Sequence, residues 1–198
     1  MNVVLRAIPT TRGEFFAWAK TREGRYEFDG NHPVAMTGAN GRHNAIAFNL
    51  WLMLGTQLRG SSFVPYGADM GVGTVGEAVR FPDALVTQSR VPDEALTASD
   101  PIVVFEVVSP SSGRTDRIDK VREYAALPTV QRYVLIERTS AALTSFQRTS
   151  SDQPWTATTH LGNDALCLPE IGIELQVSAL YEGLEPGIDD QGVTPLSD

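Results

Sequence analysis

The pattern of apolar and polar residues predicts two helices. The first covers 43–58, HNAIAFNLWLMLGTQL, and Gly60 ends it. Its apolar residues recur at about 3.6-residue spacing: Ile46, Ala47, Leu50, Leu54 and Leu58. A second, shorter helix is predicted at 116–127, and Pro128 stops it because proline cannot continue a helix.

The remaining apolar segments have the length and composition of strands. Residues 25–36 predict a hairpin around Asp29-Gly30-Asn31, since glycine and asparagine tolerate the positive φ of a tight turn. Residues 102–108 form a continuous apolar run of strand length. Further strands are predicted within the following segments: 61–70, 77–87, 131–138, 143–149, 155–161 and 171–181. This order predicts an α/β protein of mixed α+β type, with a central mixed β-sheet flanked by helices and with additional β-hairpins.

The chain has 198 residues, the usual size of one domain with its own core. We expect an N-terminal arm over 1–12, a single domain over 13–184 and a flexible tail over 185–198. The tail prediction rests on its polar, glycine- and proline-rich composition, EPGIDDQGVTPLSD.

Composition narrows the class of protein. A hydrophobic content of 42% with 20% charged residues is typical of a globular chain. No apolar run reaches about 18 residues, no signal peptide is expected, and the single Cys167 cannot form an internal disulfide, so we expect a cytoplasmic protein without a membrane partner. The net charge of −8 repels polyanions, so a nucleic-acid partner would need a local basic patch or a bound cation.

Two motifs do not carry their usual function here. GVGTVG (71–76) matches the dinucleotide fingerprint, but no helix follows it, and we interpret it as a hairpin loop. The three histidines, His32, His43 and His160, lack zinc-ligand spacing. His43, at the start of the long helix, is expected to be a surface or capping residue.

A glutamate interrupts the apolar run IVVFEVV (102–108). Strand alternation places Glu106 on one face with Ile102, Val104 and Val108. A buried unpaired carboxylate is unfavourable by several kcal/mol, so Glu106 must be protonated, paired or bound to a metal. A core salt bridge to an arginine is the alternative to a functional role.

A second acid, Asp83, lies in the strand-like segment RFPDALV. If the two strands are neighbours, Asp83 and Glu106 form a pocket of hard oxygen ligands, which suits Mg²⁺ or Mn²⁺. The alternative is two separate polar residues at strand ends.

The segment SPSSGRTDRIDK (109–120) connects the Glu106 strand to the second helix. We expect Asp116 to cap this helix, with Asp119 completing a capping box. Asp116, Lys120 and Tyr124 share a face, from which Lys120 could reach the carboxylates. The alternative is an exposed Asp116–Lys120 pair. The apolar residues fall on another face: Ile118, Val121 and Ala125.

These segments together resemble a known family. RFPDALV, VVFEVVSPSS, DRIDKVREYAAL and VQRYVLIE, with the upstream RYEFDG and a histidine opening the long helix, are similar to the Uma2 family of the PD-(D/E)xK nuclease superfamily. The match covers roughly 12–182. The resemblance implies a restriction endonuclease-like fold.

The resemblance also implies roles for residues. Asp83 and Glu106 match the two metal-binding acids, with the Val107 carbonyl as a further ligand. The superfamily usually has a lysine at the position of Val108, and Lys120 matches a displaced catalytic lysine that the family carries on the following helix. Glu27 matches another acidic residue of the family; the alternative for it is an exposed hairpin glutamate.

The implied activity is Mg²⁺- or Mn²⁺-dependent hydrolysis of DNA phosphodiester bonds by an endonuclease. Contact with DNA is expected to be weak or local, and a homodimer could present two sites. A basic cluster could contact phosphates or form a solvated helix face: Arg114, Arg117, Lys120 and Arg122. Two alternatives stay open, namely an inactive nuclease-fold binding module and a phosphodiesterase for RNA or nucleotides.

Overall fold

A computed structural model describes residues 8–108 and 115–185. Its first two α-helices are α1 (Arg12–Ala19) and α2 (Gly41–Gln57). Helix α2 confirms the long predicted helix, but it begins two residues earlier, because the Asn40 side chain caps it by accepting from the His43 backbone N–H. Helix α1 was not predicted. Most of the predicted arm (residues 1–7) and of the predicted tail (residues 186–198) lies outside the described residues, so the division of the chain stays a prediction.

The second predicted helix begins differently from expectation. A π-helical turn (Thr115–Asp119) precedes α3 (Lys120–Ala125), and the Asp119 side chain makes no capping hydrogen bond. Asp116 does not precede the helical segment, because it lies inside the π-helical turn, where its side chain is buried beside Lys120. The buried face is therefore the polar one that carries Lys120 and Tyr124, whereas Ile118 is 42% exposed.

Short strands make up most of the remaining structure. In chain order they are β1 (Tyr26–Phe28), β2 (Pro33–Ala35), β3 (Val64–Gly67), β4 (Gly71–Gly73), β5 (Val79–Arg80), β6 (Ala84–Thr87), β7 (Thr97–Ala98), β8 (Pro101–Val107), β9 (Arg132–Ile136), β10 (Ala142–Gln147), β11 (Thr156–Leu161), β12 (Ala165–Leu168) and β13 (Ile173–Gln176). A 3₁₀ helix, Val177–Tyr181, follows β13.

The strands form three sheets. The largest has the order β11-β10-β9-β8-β6-β3, with β8 and β9 parallel and the other pairs antiparallel. A second sheet has the order β2-β1-β5-β4-β7, and β12 pairs with β13 alone. This arrangement confirms the predicted mixed α+β class. No helix within the described residues is long and apolar enough to cross a bilayer.

Two predicted hairpins are confirmed. Strands β1 and β2 pair antiparallel with Glu27 opposite Val34, and Gly30 adopts a φ of +94° in the turn. Residues 71–76 run along β4 into the turn that leads to β5, with Gly76 at a φ of +62°. Because an antiparallel strand and not a helix follows the glycines, the dinucleotide fingerprint is excluded.

The central sheet has an apolar core on each face. Helix α2, the β12–β13 hairpin and the 3₁₀ helix cover one face, against residues such as Phe105 and Val107. Tyr124 of α3 packs on the other face with Val104 and Val108. Glu106 therefore shares its face with Val104 and Val108, as predicted. Ile102 joins the opposite core, because the register between β6 and β8 shifts by one residue there.

Candidate functional site

The two predicted acids meet at the end of adjacent strands. Asp83 immediately precedes β6, and Ala84 pairs with Phe105 of β8. The Asp83 Oδ2 atom accepts a hydrogen bond from the Val107 backbone N–H at 2.7 Å. Asp83 is thus fastened to the residue that follows Glu106, and both acids line one cavity.

Lys120 reaches Glu106 from α3. Its Nζ atom lies 2.7 Å from Glu106 Oε1, 3.1 Å from Glu27 Oε1 and 3.2 Å from Asp116 Oδ1. Glu106 and Lys120 are each only 5% exposed. Among the residues that the structure describes, the partner of Glu106 is therefore this ammonium group and not an arginine. The Asp116–Lys120 pair is buried, so the alternative of an exposed pair is wrong.

Glu27 comes to the same place from β1. This strand pairs with β5, so the Glu27 carboxylate accepts hydrogen bonds from the Phe81 backbone N–H at 3.2 Å and from Arg80 Nη1 at 3.2 Å. Arg80 also binds Glu123 of α3 at 2.6 Å. Glu27 is 7% exposed, so the alternative of a hairpin surface residue is wrong.

The prediction for His43 is also wrong, because its side chain does not lie on the open surface. Its ring is 12% exposed, and Nε2 lies 2.9 Å from Asp83 Oδ1. The sequence did contain a signal: His43 precedes Ile46 by three residues and Ala47 by four. That spacing places it on the apolar face of α2 that packs inward.

Negative charge is in excess around Lys120. Burial raises the pKa of Glu106 well above its usual value; Lys120 opposes this shift, and the carboxylates of Asp83, Asp116 and Glu27 add to it. Burial would lower the pKa of Lys120, but attraction to Glu106 and Glu27 leaves it raised. A further cation in the site would relieve the repulsion between the carboxylates.

A cavity of about 670 Å³ opens over this cluster. Its lining includes Glu27, Asp83, Glu106 and Lys120, with Arg25 and Arg138 also contributing. The cavity therefore combines buried carboxylates with guanidinium groups, an arrangement able to take a cation together with an anionic ligand.

The donor set fits Mg²⁺ or Mn²⁺. Carboxylate and carbonyl oxygens from Asp83, Glu106 and Val107 are the hard ligands that these ions prefer. Within residues 8–108 and 115–185, no three His, Cys, Asp or Glu side chains form a ready-made metal cage. Mg²⁺ is commonly bound through one or two carboxylates, with water and substrate phosphates as the other ligands, so two acids are sufficient.

Val108 supplies no cation at the position where the superfamily usually has lysine. Its side chain is buried in the second apolar core, beside Tyr124. The ammonium group comes from Lys120 instead, twelve positions further along the chain than Val108.

The other predicted basic residues lie away from this contact. Arg117 pairs with Glu137 at 2.7 Å on the surface, and Arg122 is exposed. Arg114 and residues 109–113 lie outside the described residues. The structure therefore supports a solvated helix face for Arg117 and Arg122, while Lys120 belongs to the buried site.

Comparisons with known proteins identify the family of the chain. Residues 12–179 match the model of the Uma2 family, described as "Putative restriction endonuclease". Two relatives from Synechocystis sp. are "Uncharacterized protein slr1290", 28% identical with 86% of this chain and 90% of the relative covered, and "Uncharacterized protein sll1609", 24% identical with 83% and 95% covered.

A solved structure shows a similar fold. It is titled as that of a putative nuclease belonging to DUF820 from Anabaena variabilis. It superposes with a TM-score of 0.69 at 18% identity, over 87% of this chain and 98% of that chain. At that identity the likeness shows the fold, which is the nuclease fold that the sequence predicts. The family model spans more than four-fifths of the residues, and the chain therefore belongs to the Uma2 family.

Proposed function

We propose that the chain is an endonuclease that hydrolyses DNA phosphodiester bonds with the help of Mg²⁺ or Mn²⁺. The observation that carries this proposal is the convergence of Asp83, Glu106 and Lys120 on one cavity from three separate segments. Membership of the Uma2 family supports the reaction class.

Asp83 and Glu106 would hold the divalent ion, with the Val107 carbonyl as a further ligand. When bound, the ion would neutralise phosphate charge and lower the pKa of a coordinated water. The chain fixes both acids before any ligand arrives: the Val107 N–H holds the Asp83 carboxylate, and Lys120 holds the Glu106 carboxylate. Such preorganisation avoids the free energy of rearranging the site during the reaction.

Lys120 would orient the attacking water or stabilise the negative charge that builds up on the phosphate in the transition state. In the free protein its charge is balanced by Glu27, Glu106 and Asp116. Glu27, itself held by Arg80, would keep the ammonium in place at the cavity.

The overall charge of −8 limits the affinity for DNA, so the contact must be local. Arg138 and Arg25, which pairs with the exposed Asp69, line the cavity and would meet a phosphate backbone. A homodimer would bring two such cavities to one duplex.

The test is cleavage of plasmid DNA with Mg²⁺ or Mn²⁺, and without added metal. Wild-type protein should cut with metal, and Asp83→Asn and Glu106→Gln, which keep the shape of each side chain, should not. Asp93→Asn is the matched control, because the Asp93 carboxylate is exposed on the surface and pairs with Arg90. Cleavage by either site variant at the wild-type rate would rule out the proposed roles.

A second candidate is a nuclease-fold module that binds without cleaving. The observation that favours it is the burial of Lys120 among three carboxylates, together with the acidic net charge. Metal binding without cleavage of duplex DNA, single-stranded DNA, RNA or nucleotides would support this module. Cleavage of RNA or nucleotides alone would instead identify a phosphodiesterase of a different substrate class.

A further inference from the structure

Asp83, which lies just before β6, is held by three hydrogen bonds. His43 Nε2 lies 2.9 Å from Oδ1, and the Val107 backbone N–H lies 2.7 Å from Oδ2. The Trp51 indole N–H also donates to the Asp83 backbone carbonyl at 2.7 Å. Both the carboxylate and the main chain of this residue are therefore held.

Two of these three bonds come from α2. His43 and Trp51 lie eight residues apart on one continuous helix, which packs on the central sheet through its apolar residues. Because one helix hydrogen-bonds to both the side chain and the main chain of Asp83, the carboxylate has little freedom to rotate.

The ring of His43 is committed to this contact. A carboxylate can only accept, so Nε2 carries the proton and donates to Asp83. The other ring nitrogen, Nδ1, is buried and has no hydrogen-bond partner among the described residues. Among the described residues, Asp83 is thus the hydrogen-bond partner of the imidazole.

We propose that His43 is a positioning residue that orients the Asp83 carboxylate for divalent-cation binding. This inference rests on the function proposed above. Each carboxylate oxygen has a second acceptor site, so a hydrogen bond from His43 to Oδ1 and one from Val107 to Oδ2 fix the plane of the group while leaving it able to bind a cation. Groups that hydrogen-bond to a ligating carboxylate commonly change metal affinity by about 10–100-fold.

The competing explanation is a purely structural hydrogen bond that helps α2 to pack. The two explanations differ for a matched pair of substitutions, His43→Gln and His43→Met. The two new side chains have nearly the same length and volume, but the glutamine amide can donate to Asp83 and methionine cannot. A structural role affects the melting temperature of the metal-free protein, whereas a positioning role affects the affinity for metal.

The experiment measures the Mn²⁺ dissociation constant of the full chain by calorimetry, together with the melting temperature without metal. We expect H43M to bind Mn²⁺ about 10–100-fold more weakly than wild type and H43Q to recover most of that loss. If H43M does not fold, His43→Phe, which keeps an aromatic ring, replaces it. Equal affinities of wild type and H43M, or an H43Q affinity as weak as that of H43M, would overturn the inference.

The outcomes for the two proposals remain separable. Asp83→Asn gives the baseline for a site without its first acid. Wild-type protein that binds Mn²⁺ but cleaves no substrate refutes the nuclease proposal, while the ratio of H43M to wild-type affinity still decides the role of His43. Wild-type protein with the same Mn²⁺ response as D83N overturns both proposals.

Discussion

Lys120 and Glu106 form an ion pair, but neutralising one partner should raise the free energy of unfolding, whereas neutralising the other should lower it. In an ordinary buried salt bridge, removing either charge leaves the other one buried without a partner, which destabilises the fold by about 3–5 kcal/mol. Here the Lys120 ammonium has three carboxylate neighbours, whereas Glu106 has one described ammonium and several like charges. The two substitutions are therefore not equivalent.

Glu106→Gln should stabilise the protein at neutral pH. The glutamine carbonyl can still accept the 2.7 Å hydrogen bond from Lys120, and Glu27 and Asp116 still balance the ammonium charge. We expect a gain of about 0.5–2 kcal/mol, the usual size of a single stabilising substitution. For a chain of this size, that gain raises the melting temperature by about 1–8 °C.

Lys120→Met should do the reverse, because it leaves three buried carboxylates without their common cation. The expected loss is about 3–5 kcal/mol, or about 6–20 °C in the melting temperature. The assay is thermal unfolding followed by circular dichroism in metal-free buffer. A fall in melting temperature for both variants, of similar size, would refute the reasoning, since it would show an ordinary structural ion pair.

The pH dependence gives the same prediction a second check. Folding raises the pKa of Glu106, chiefly through burial, so between the unfolded and folded pKa values the native wild-type protein binds more protons than the unfolded chain. Wild-type stability from this group is thus present at low pH and is lost as the pH rises through the raised pKa. The advantage of E106Q should shrink on acidification; an advantage that grows below pH 5 would contradict the assigned direction.

Three further outcomes are expected. Mg²⁺ at about 100 times its dissociation constant should stabilise the wild type by about 2.7 kcal/mol, a thermal shift of about 5–11 °C that D83N lacks; an equal shift in D83N would place the metal elsewhere. Arg80→Met should destabilise by about 3–5 kcal/mol in urea unfolding, because Glu27 and Glu123 lose a shared guanidinium; a loss below 1 kcal/mol would contradict this. Trp51→Phe should lose about 0.5–1.5 kcal/mol with its bond to the Asp83 carbonyl, and an unchanged urea midpoint would show that bond to be unimportant.

The parts of the fold predicted from sequence are those with a strong local signal. The periodicity of residues 46–58 specified α2, and the Asp29-Gly30-Asn31 turn specified the β1–β2 hairpin. Glu106 was identifiable as a site residue because a carboxylate inside an apolar strand is unfavourable unless something balances it. In each of these cases the residues that determine the structure lie within one short segment, so the sequence alone is sufficient to predict it.

The parts that were missed depend on contacts distant in sequence. Asp116 has the local signature of a helix cap, but a buried ammonium four residues later holds its side chain inside the site. The burial of Glu27 depends on the pairing of β1 with β5 and on Arg80, 53 residues away. Helix α1 was missed because its sequence has no clear amphipathic pattern; Phe15 is its one buried residue.

Val108 and Lys120 have a consequence for how relatives of this chain should be sought. A text pattern that demands lysine two positions after the strand acid would discard this protein, although an ammonium nitrogen sits 2.7 Å from that acid. A three-dimensional template would retain it, if the template consists of two carboxylates at the ends of adjacent strands and a cationic nitrogen in contact with one of them. Such a template is indifferent to which backbone position delivers the charge.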